Sequence, residues 1–206
     1  MLKRLKIVKS KTNGYKVFTE HICPDFMTNT MSASEYVNYC WNKYMEANVN
    51  RNNSLNGSVF ELIISSLFVK ESILPLYLQA KVAFVPNVNF DAVLYTAETG
   101  PIGISMKTSL RERYKQADLE AIALKYVHRK AENYLFTMDS DEANTLSAKI
   151  ANGDLLGINK VILTTDATFD SFIDEMKSRS FIAPGKVDII SASTVITPEI
   201  VAGVTG

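Results

Sequence analysis

Apolar residues recur at helical spacing in the N-terminal quarter of the chain. Residues 34–46 open with a serine and place three tyrosines and a cysteine on one side. The polar stretch 48–57 predicts a loop, and residues 58–70 are apolar almost throughout, with Glu61 as their single acid. We therefore predict two helices separated by a loop, the second buried on most sides.

From residue 80 onward the pattern becomes typical of extended structure. Residues 90–95 and 102–109 alternate between two faces, and the turn-like stretch 96–101 between them predicts an antiparallel hairpin. Later apolar runs predict strands at 134–138, 160–164 and 187–191 and helices at 114–131 and 169–178. This succession predicts an α/β fold with a central mixed β-sheet flanked by helices.

The length of 206 residues favours a single domain over 1–206, in which residues 1–55 form a possible N-terminal helical, DNA-contacting arm. No stretch is apolar enough to span a membrane, and the basic start lacks the apolar run of a signal peptide. We therefore expect a cytoplasmic protein without a membrane partner. Cys23 and Cys40 have no metal-ligand pattern around them and are interpreted as free thiols.

The charge distribution changes this picture. The formal net charge is zero, but residues 1–16 carry six basic side chains and no acid, and residues 107–130 carry seven basic side chains and three acids. The rest of the chain is therefore acidic. A basic cleft on an acidic body would suit a nucleic-acid partner, and solvated helix faces are the other interpretation of the same asymmetry.

The predicted hairpin brings together residues suited to phosphodiester hydrolysis. If its turn centres near Glu98 and Thr99, Asp91 falls opposite Met106 or Lys107, and Ser105 lies two residues before this lysine on the same strand face. Carboxylates can hold Mg²⁺ on a phosphate, and a lysine can stabilise the developing negative charge. One carboxylate is too few, so a second acid is required.

Two acids on helices are candidates to complete the set. Glu120 follows Lys107 by thirteen residues, on the helix predicted after the strand, and Glu61 is the lone acid of an apolar helix. A buried charge needs a metal or a basic partner to compensate its desolvation. We predict Asp91 and Glu120 as metal ligands with Glu61 assisting them, and Glu98 as the alternative to Asp91. Each residue alone could equally be a solvated surface charge.

Ser105-x-Lys107, followed after twelve residues by Glu120, resembles the rearranged signature of a group of PD-(D/E)XK restriction endonucleases that includes EcoRII, PspGI, SsoII and NgoMIV. In that group the second acid has moved from the strand to the next helix, and Ser105 would fill the vacated position. The neighbouring Arg111-Glu112-Arg113 is similar to the segment with which members read CC/GG-containing sites. Guanine edges suit a bidentate arginine, and the cytosine amino group suits a carboxylate.

The resemblance implies a PD-(D/E)XK core and a type II restriction endonuclease that hydrolyses double-stranded DNA with Mg²⁺ at a short CCNGG- or CCWGG-like site. It also implies a cognate DNA methyltransferase in the same restriction-modification system. A two-fold site calls for two active sites, so we expect a homodimer. The alternatives are a repair or recombination nuclease on the same core, a DNA-binding protein that does not cleave, and an α/β domain unrelated to DNA.

Overall fold

The computed structural model of the chain describes residues 1–23, 25–185 and 190–205. Within these residues, one six-stranded sheet is accompanied by seven α-helices. The helices are α1 Asn13–Val17, α2 Ala33–Glu46, α3 Asn53–Lys70, α4 Arg113–Val127, α5 Ser140–Ala151, α6 Ala167–Ser178 and α7 Pro198–Thr205. The strands are β1 Leu76–Val82, β2 Phe90–Thr96, β3 Gly100–Lys107, β4 Glu132–Thr137, β5 Lys160–Leu163 and β6 Ile190–Ile196.

The sheet is mixed, with the strand order β5-β4-β3-β2-β1-β6. Strands β6, β1, β2 and β3 pair antiparallel, whereas β3, β4 and β5 pair parallel. The parallel strands are joined through α4 and α5, because a parallel connection must return across a face of the sheet. The predicted α/β fold with a central mixed sheet is confirmed.

The predicted hairpin is confirmed as β2 and β3, with Ala92 opposite Ile104 and Thr96 opposite Gly100. The loop predicted at 48–57 is wrong in its second half, because α3 already begins at Asn53. The side chain of Asn52 accepts a hydrogen bond from the backbone N–H of Leu55 and so caps this helix. The polar residues of the first turn therefore belong to a helix.

Some elements were not predicted from the sequence. Strand β1 and helix α5 were missed, and α2 begins after Ser32, which forms a capping box with Glu35. Of the strand predicted at 187–191, residues 187–189 lie outside the described residues, and β6 begins at Ile190. No helix in the described part of the chain is both long and apolar enough to cross a bilayer.

Helices cover the sheet on two faces. The larger apolar cluster joins α3 to side chains of the sheet such as Ile104 and Met106. The start of the chain belongs to the same cluster, because Leu2 and Leu5 are buried in it. On the other face, α4 packs through Ala117 and Ala121 against β4. The catalytic candidates are therefore divided between the α3 face and the α4 face.

Candidate active site

The regular alternation of the sheet is broken at Gln79 and Asp91. Residues two apart on a strand should face the same side, yet Leu78 packs in the α3 cluster and Ala80 in the cluster on the other face. Ala92 and Phe90 are divided in the same way. The register pairs Leu78 with Ala92 and Ala80 with Phe90, so Gln79 and Asp91 lie opposite each other where both strands shift.

Asp91 takes part in an ion pair inside this break. Its Oδ2 accepts hydrogen bonds from Nζ of Lys107 at 2.7 Å and from the backbone N–H of Met106 at 2.6 Å. The carboxylate thus satisfies a backbone donor of β3 just beyond the last regular pair of the ladder, Ala92 with Ile104. The two side chains are 12% and 27% exposed for Asp91 and Lys107, respectively, so the pair is shielded but reachable from solvent.

Glu61 reaches the same place from α3. Burial, and next the negative charge of Asp91, raise the pKa of Glu61 to about 7, against a partial opposing effect of Lys107. The Nε2 of Gln79 donates a hydrogen bond of 3.0 Å to Oε2 of Glu61. The predicted association of Glu61 with Asp91 and Lys107 is therefore present as a group of two acids and one base.

A cavity of about 270 Å³ opens beside these residues. Glu61, Gln79 and Asp91 line it together with Ser193 of β6 and Lys9 of the N-terminal segment. Helix α1 is held tightly against α3 at its rim, since a Cβ on Gly14 would lie 2.4 Å from Oγ of Ser58. The N-terminal segment thus forms one wall of the cavity, and Lys9 is its basic residue there.

Mg²⁺ prefers oxygen ligands and is commonly held by one or two carboxylates together with water and phosphate oxygens. In the described residues, Oδ1 of Asp91 and Oε1 of Glu61 accept no hydrogen bond from the protein, which leaves one oxygen of each acid for such an ion. The donor set at the cavity therefore fits Mg²⁺. Among the described residues, no three His, Cys, Asp or Glu side chains are grouped closely enough to form a metal site.

The other predicted catalytic residues lie elsewhere. Ser105 is buried between Ile104 and Met106 on the sheet and lines a narrow space below α4, on the opposite face from Glu61. Glu120 belongs to α4, and its Oε1 accepts a hydrogen bond of 2.7 Å from Gln116. Within the described part of the chain, neither Ser105 nor Glu120 is hydrogen-bonded to the ion pair on β2 and β3.

Glu98, the alternative ligand, is also distant from the group around Glu61. It lies in the turn at the far end of the hairpin and lines a separate cavity with Thr96 and Arg179. The turn places it at the opposite end of β2 from Asp91. The structure therefore favours Asp91 over Glu98 as the acid beside Lys107.

The predicted base-reading residues Arg111, Glu112 and Arg113 are all exposed, at the start of α4. The carboxylate of Glu142 on α5 accepts hydrogen bonds from the backbone N–H groups of Leu110 and Arg111. Arg111 has a φ of 42°, a conformation that non-glycine residues rarely adopt. The segment is therefore fixed through its backbone while its side chains remain exposed.

Two residues of the site were missed by the sequence analysis. Gln79 is a polar residue within an otherwise largely apolar strand. Its polarity indicates a functional position only once the strand is known, and the sequence pattern does not predict that strand. Glu142 lies in the first turn of α5, where acids commonly stabilise a helix start. This local role is enough to explain an acid at that position, so the sequence gives no sign of its contact with the distant residue Arg111. Both residues contact partners that are distant in the sequence, and no local sequence pattern predicts such contacts.

No family model matches the chain, and no curated protein matches it. A solved structure of the restriction endonuclease PspGI in complex with its substrate DNA is similar to it, with a TM-score of 0.45 and 22% sequence identity. The similarity covers 74% of this chain and spans 64% of the PspGI chain, just under two thirds of its length. Likeness at this level leaves the function to be inferred from the residues of the site.

Proposed function

We propose that this chain is a Mg²⁺-dependent endonuclease that hydrolyses double-stranded DNA. The observation that carries the proposal is the group of Glu61, Asp91 and Lys107, which lies at a break in the sheet and beside a cavity that Lys9 also lines. Two acids that can hold Mg²⁺ and a lysine that can stabilise charge on a phosphate are suited to phosphodiester hydrolysis. A second acid with a raised pKa beside the ion pair is an arrangement that is common at functional sites.

Each residue has a role in this proposal. Asp91 and Glu61 would hold Mg²⁺ through the oxygens that accept no hydrogen bond within the described residues, and the ion would supply Lewis-acid stabilisation and a more acidic bound water. Lys107 keeps its ammonium group at Asp91 and would stabilise negative charge on the attacked phosphate. Glu120 lies on α4 away from this group, so as the proposed second metal ligand it would have to reach the ion from that helix, and Ser105 would occupy the strand position before the lysine.

The finer proposal is a type II restriction endonuclease specific for a short CC/GG-containing site. It is supported by the exposed Arg111-Glu112-Arg113 segment, because two arginines and one acid match the edges of guanine and cytosine in the major groove. A homodimer and a partner methyltransferase of the same specificity belong to this proposal.

Cleavage of plasmid DNA by the purified chain, with Mg²⁺ or with EDTA, tests the proposal. We expect discrete fragments in Mg²⁺ alone, and run-off sequencing of their ends would give the site and the cut position. Structure-dependent nicking would favour a repair nuclease instead, and a gel shift without cleavage would favour a binding protein. Failure to bind duplex DNA at low salt would contradict all three functions.

Glu120 requires a separate test. If it is a ligand, Glu120→Gln should reduce cleavage by about two orders of magnitude, the usual effect of removing a strong electrostatic interaction at a reaction centre. Gln116→Met is the informative companion, because it removes the hydrogen bond that Glu120 accepts without changing its charge. Full activity of Glu120→Gln would leave Asp91 and Glu61 as the metal-binding acids.

A further inference from the structure

Gln79 has an unusual backbone conformation for a residue inside a strand. Its φ is 48°, in the left-handed region, although the chain pairs regularly on both sides of it through Leu78 and Ala80. A non-glycine side chain in this region is strained, and such strain persists only where the surroundings enforce it. The consequence here is geometric, because the distortion turns the Gln79 side chain to the α3 face, where Glu61 lies.

The amide of Gln79 is held at both ends. Its Nε2 donates to Oε2 of Glu61 at 3.0 Å, and its Oε1 accepts from Nδ2 of Asn89 at 2.9 Å. An amide nitrogen can only donate and an amide oxygen can only accept, so the two contacts fix the orientation of the group. Asn89 is exposed and immediately precedes β2, so the chain of contacts runs from solvent to the half-buried Glu61.

This arrangement determines which oxygen of Glu61 is available. A glutamate side chain has three rotatable bonds, and occupation of Oε2 by the amide leaves Oε1 for a ligand in the cavity shared with Asp91. Carboxylate ligands of metals are themselves commonly oriented by hydrogen bonds from neighbouring groups. Gln79 also lies between Asp91 and Ser193 across three adjacent strands.

We propose that Gln79 is a positioning residue that orients the Glu61 carboxylate for a divalent cation shared with Asp91. The inference rests on the proposed function and deepens it, because it assigns a role to a residue that does not itself touch the ion. The structural alternative is that the amide of Gln79 only satisfies the hydrogen-bonding capacity of the half-buried Glu61. In that case its removal would lower stability without a specific effect on the cation.

The two roles are separated by Mn²⁺ binding to the DNA-free protein, measured by isothermal titration calorimetry on the full chain. Gln79→Met removes the donor while keeping a side chain of similar length. We expect it to weaken Mn²⁺ binding by about 10-fold to 100-fold, the usual effect of removing a hydrogen bond to a metal ligand. Lys81→Met is the control, since it is an exposed position two residues further along the same strand and does not line the cavity.

A double-substitution cycle shows whether Gln79 acts through Glu61. In the Glu61→Gln background, Gln79→Met should cause no further decrease in Mn²⁺ affinity, because the group that it orients is already gone. Equal and additive decreases in both backgrounds would overturn the proposal. Unchanged Mn²⁺ affinity of Gln79→Met, with only a lowered melting temperature in EDTA, would overturn it as well.

Asn89→Ala provides a second variant that should fold even if Gln79→Met does not, because Asn89 is exposed. It frees the amide oxygen, so Mn²⁺ binding should weaken in the same direction but less than for Gln79→Met. Unchanged Mn²⁺ affinity of Asn89→Ala would contradict the proposal that the contact with Asn89 helps to fix the amide of Gln79. If the unaltered chain cleaves DNA and binds Mn²⁺ while these variants behave like it, the inference alone fails. If the unaltered chain does neither, the proposed function fails and the inference with it.

Discussion

Lys107 forms a direct ion pair with Asp91. Its ammonium group lies 2.7 Å from Oδ2 of Asp91 and is the base within the acidic group. Under the proposed mechanism, Lys107→Ala should reduce single-turnover cleavage by about 10²-fold to 10³-fold, because it would remove the charge proposed to stabilise the attacked phosphate. Binding of duplex DNA in Ca²⁺, followed by fluorescence anisotropy, should change little. Cleavage at the original rate would remove Lys107 from the mechanism.

The raised pKa of Glu61 predicts a pH dependence of stability in the metal-free protein. Its folded-state pKa is about 7 against an ordinary value of 4.5, so the folded state holds a proton that the unfolded state releases between these values. The free energy of unfolding should therefore fall as pH rises from about 4.5 to about 7 and change no further above this range. The magnitude is at most about 3 to 4 kcal/mol, from the difference between the two pKa values at 1.36 kcal/mol per pKa unit.

Glu61→Gln should remove this dependence, because an amide has no ionised form to desolvate. Urea unfolding in EDTA at pH 5 and pH 8 measures the effect, with Glu98→Gln as a control at an exposed acid of the hairpin turn. The Glu61→Gln protein should be more stable than the unaltered chain at pH 8 and nearly equal to it at pH 5. Equal stability of both proteins at pH 8 would contradict the unfavourable burial of this acid.

At the scale of elements, α5 should affect how strongly the protein prefers its cognate DNA site over mismatched sequences. The carboxylate of Glu142 accepts hydrogen bonds from the backbone N–H groups of Leu110 and Arg111 and so fixes the start of the exposed segment that we propose reads the bases. Glu142→Ala should lower the preference for the cognate site by about 1 to 3 kcal/mol, the discrimination that a base contact provides. Cleavage of cognate and single-mismatch duplexes measures it, with Asp141→Ala as the neighbouring control.

The N-terminal segment should contribute electrostatic affinity. Lys9 lines the cavity, and within the described residues the basic side chains of positions 3–11 form no ion pair that would neutralise them. Removal of one lysine that binds a phosphate should make the slope of log affinity against log salt concentration shallower by about one. Lys9→Ala should show this change in anisotropy titrations, whereas Lys160→Ala, at the far edge strand, should not.

The sequence predicted elements wherever one periodicity dominated, as in α6 and the β2–β3 hairpin, and it predicted the association of Asp91 with Lys107. It could not predict β1, because the alternation shift at Gln79 interrupts the two-residue period by which a strand is recognised. It could not place Glu120 either. The spacing of Glu120 from Lys107 predicts that Glu120 lies on a helix after the strand. It does not predict the direction in which that helix points the side chain.

At the scale of the whole molecule, a two-fold DNA site predicts two cooperating copies of the chain. Sedimentation of the protein with a cognate duplex in Ca²⁺ should show a two-to-one complex. Co-expression of the unaltered chain with Lys107→Ala, purified through two different tags, should give a mixed dimer that nicks plasmid DNA in one strand. Linear product from the mixed dimer, or cleavage by a monomer, would contradict this assembly.

The shift in side-chain alternation at Gln79 and Asp91 also separates the proposed catalytic residues from the residues that stabilise the fold. Glu61, Gln79 and Asp91 line a cavity at this shift, whereas the fold is stabilised by the apolar clusters on either side of the sheet. Exchanging a carboxylate there for an amide should therefore inactivate the protein without unfolding it. An inactive variant that still binds its target would become a reagent for locating such sites in long DNA molecules by fluorescence imaging.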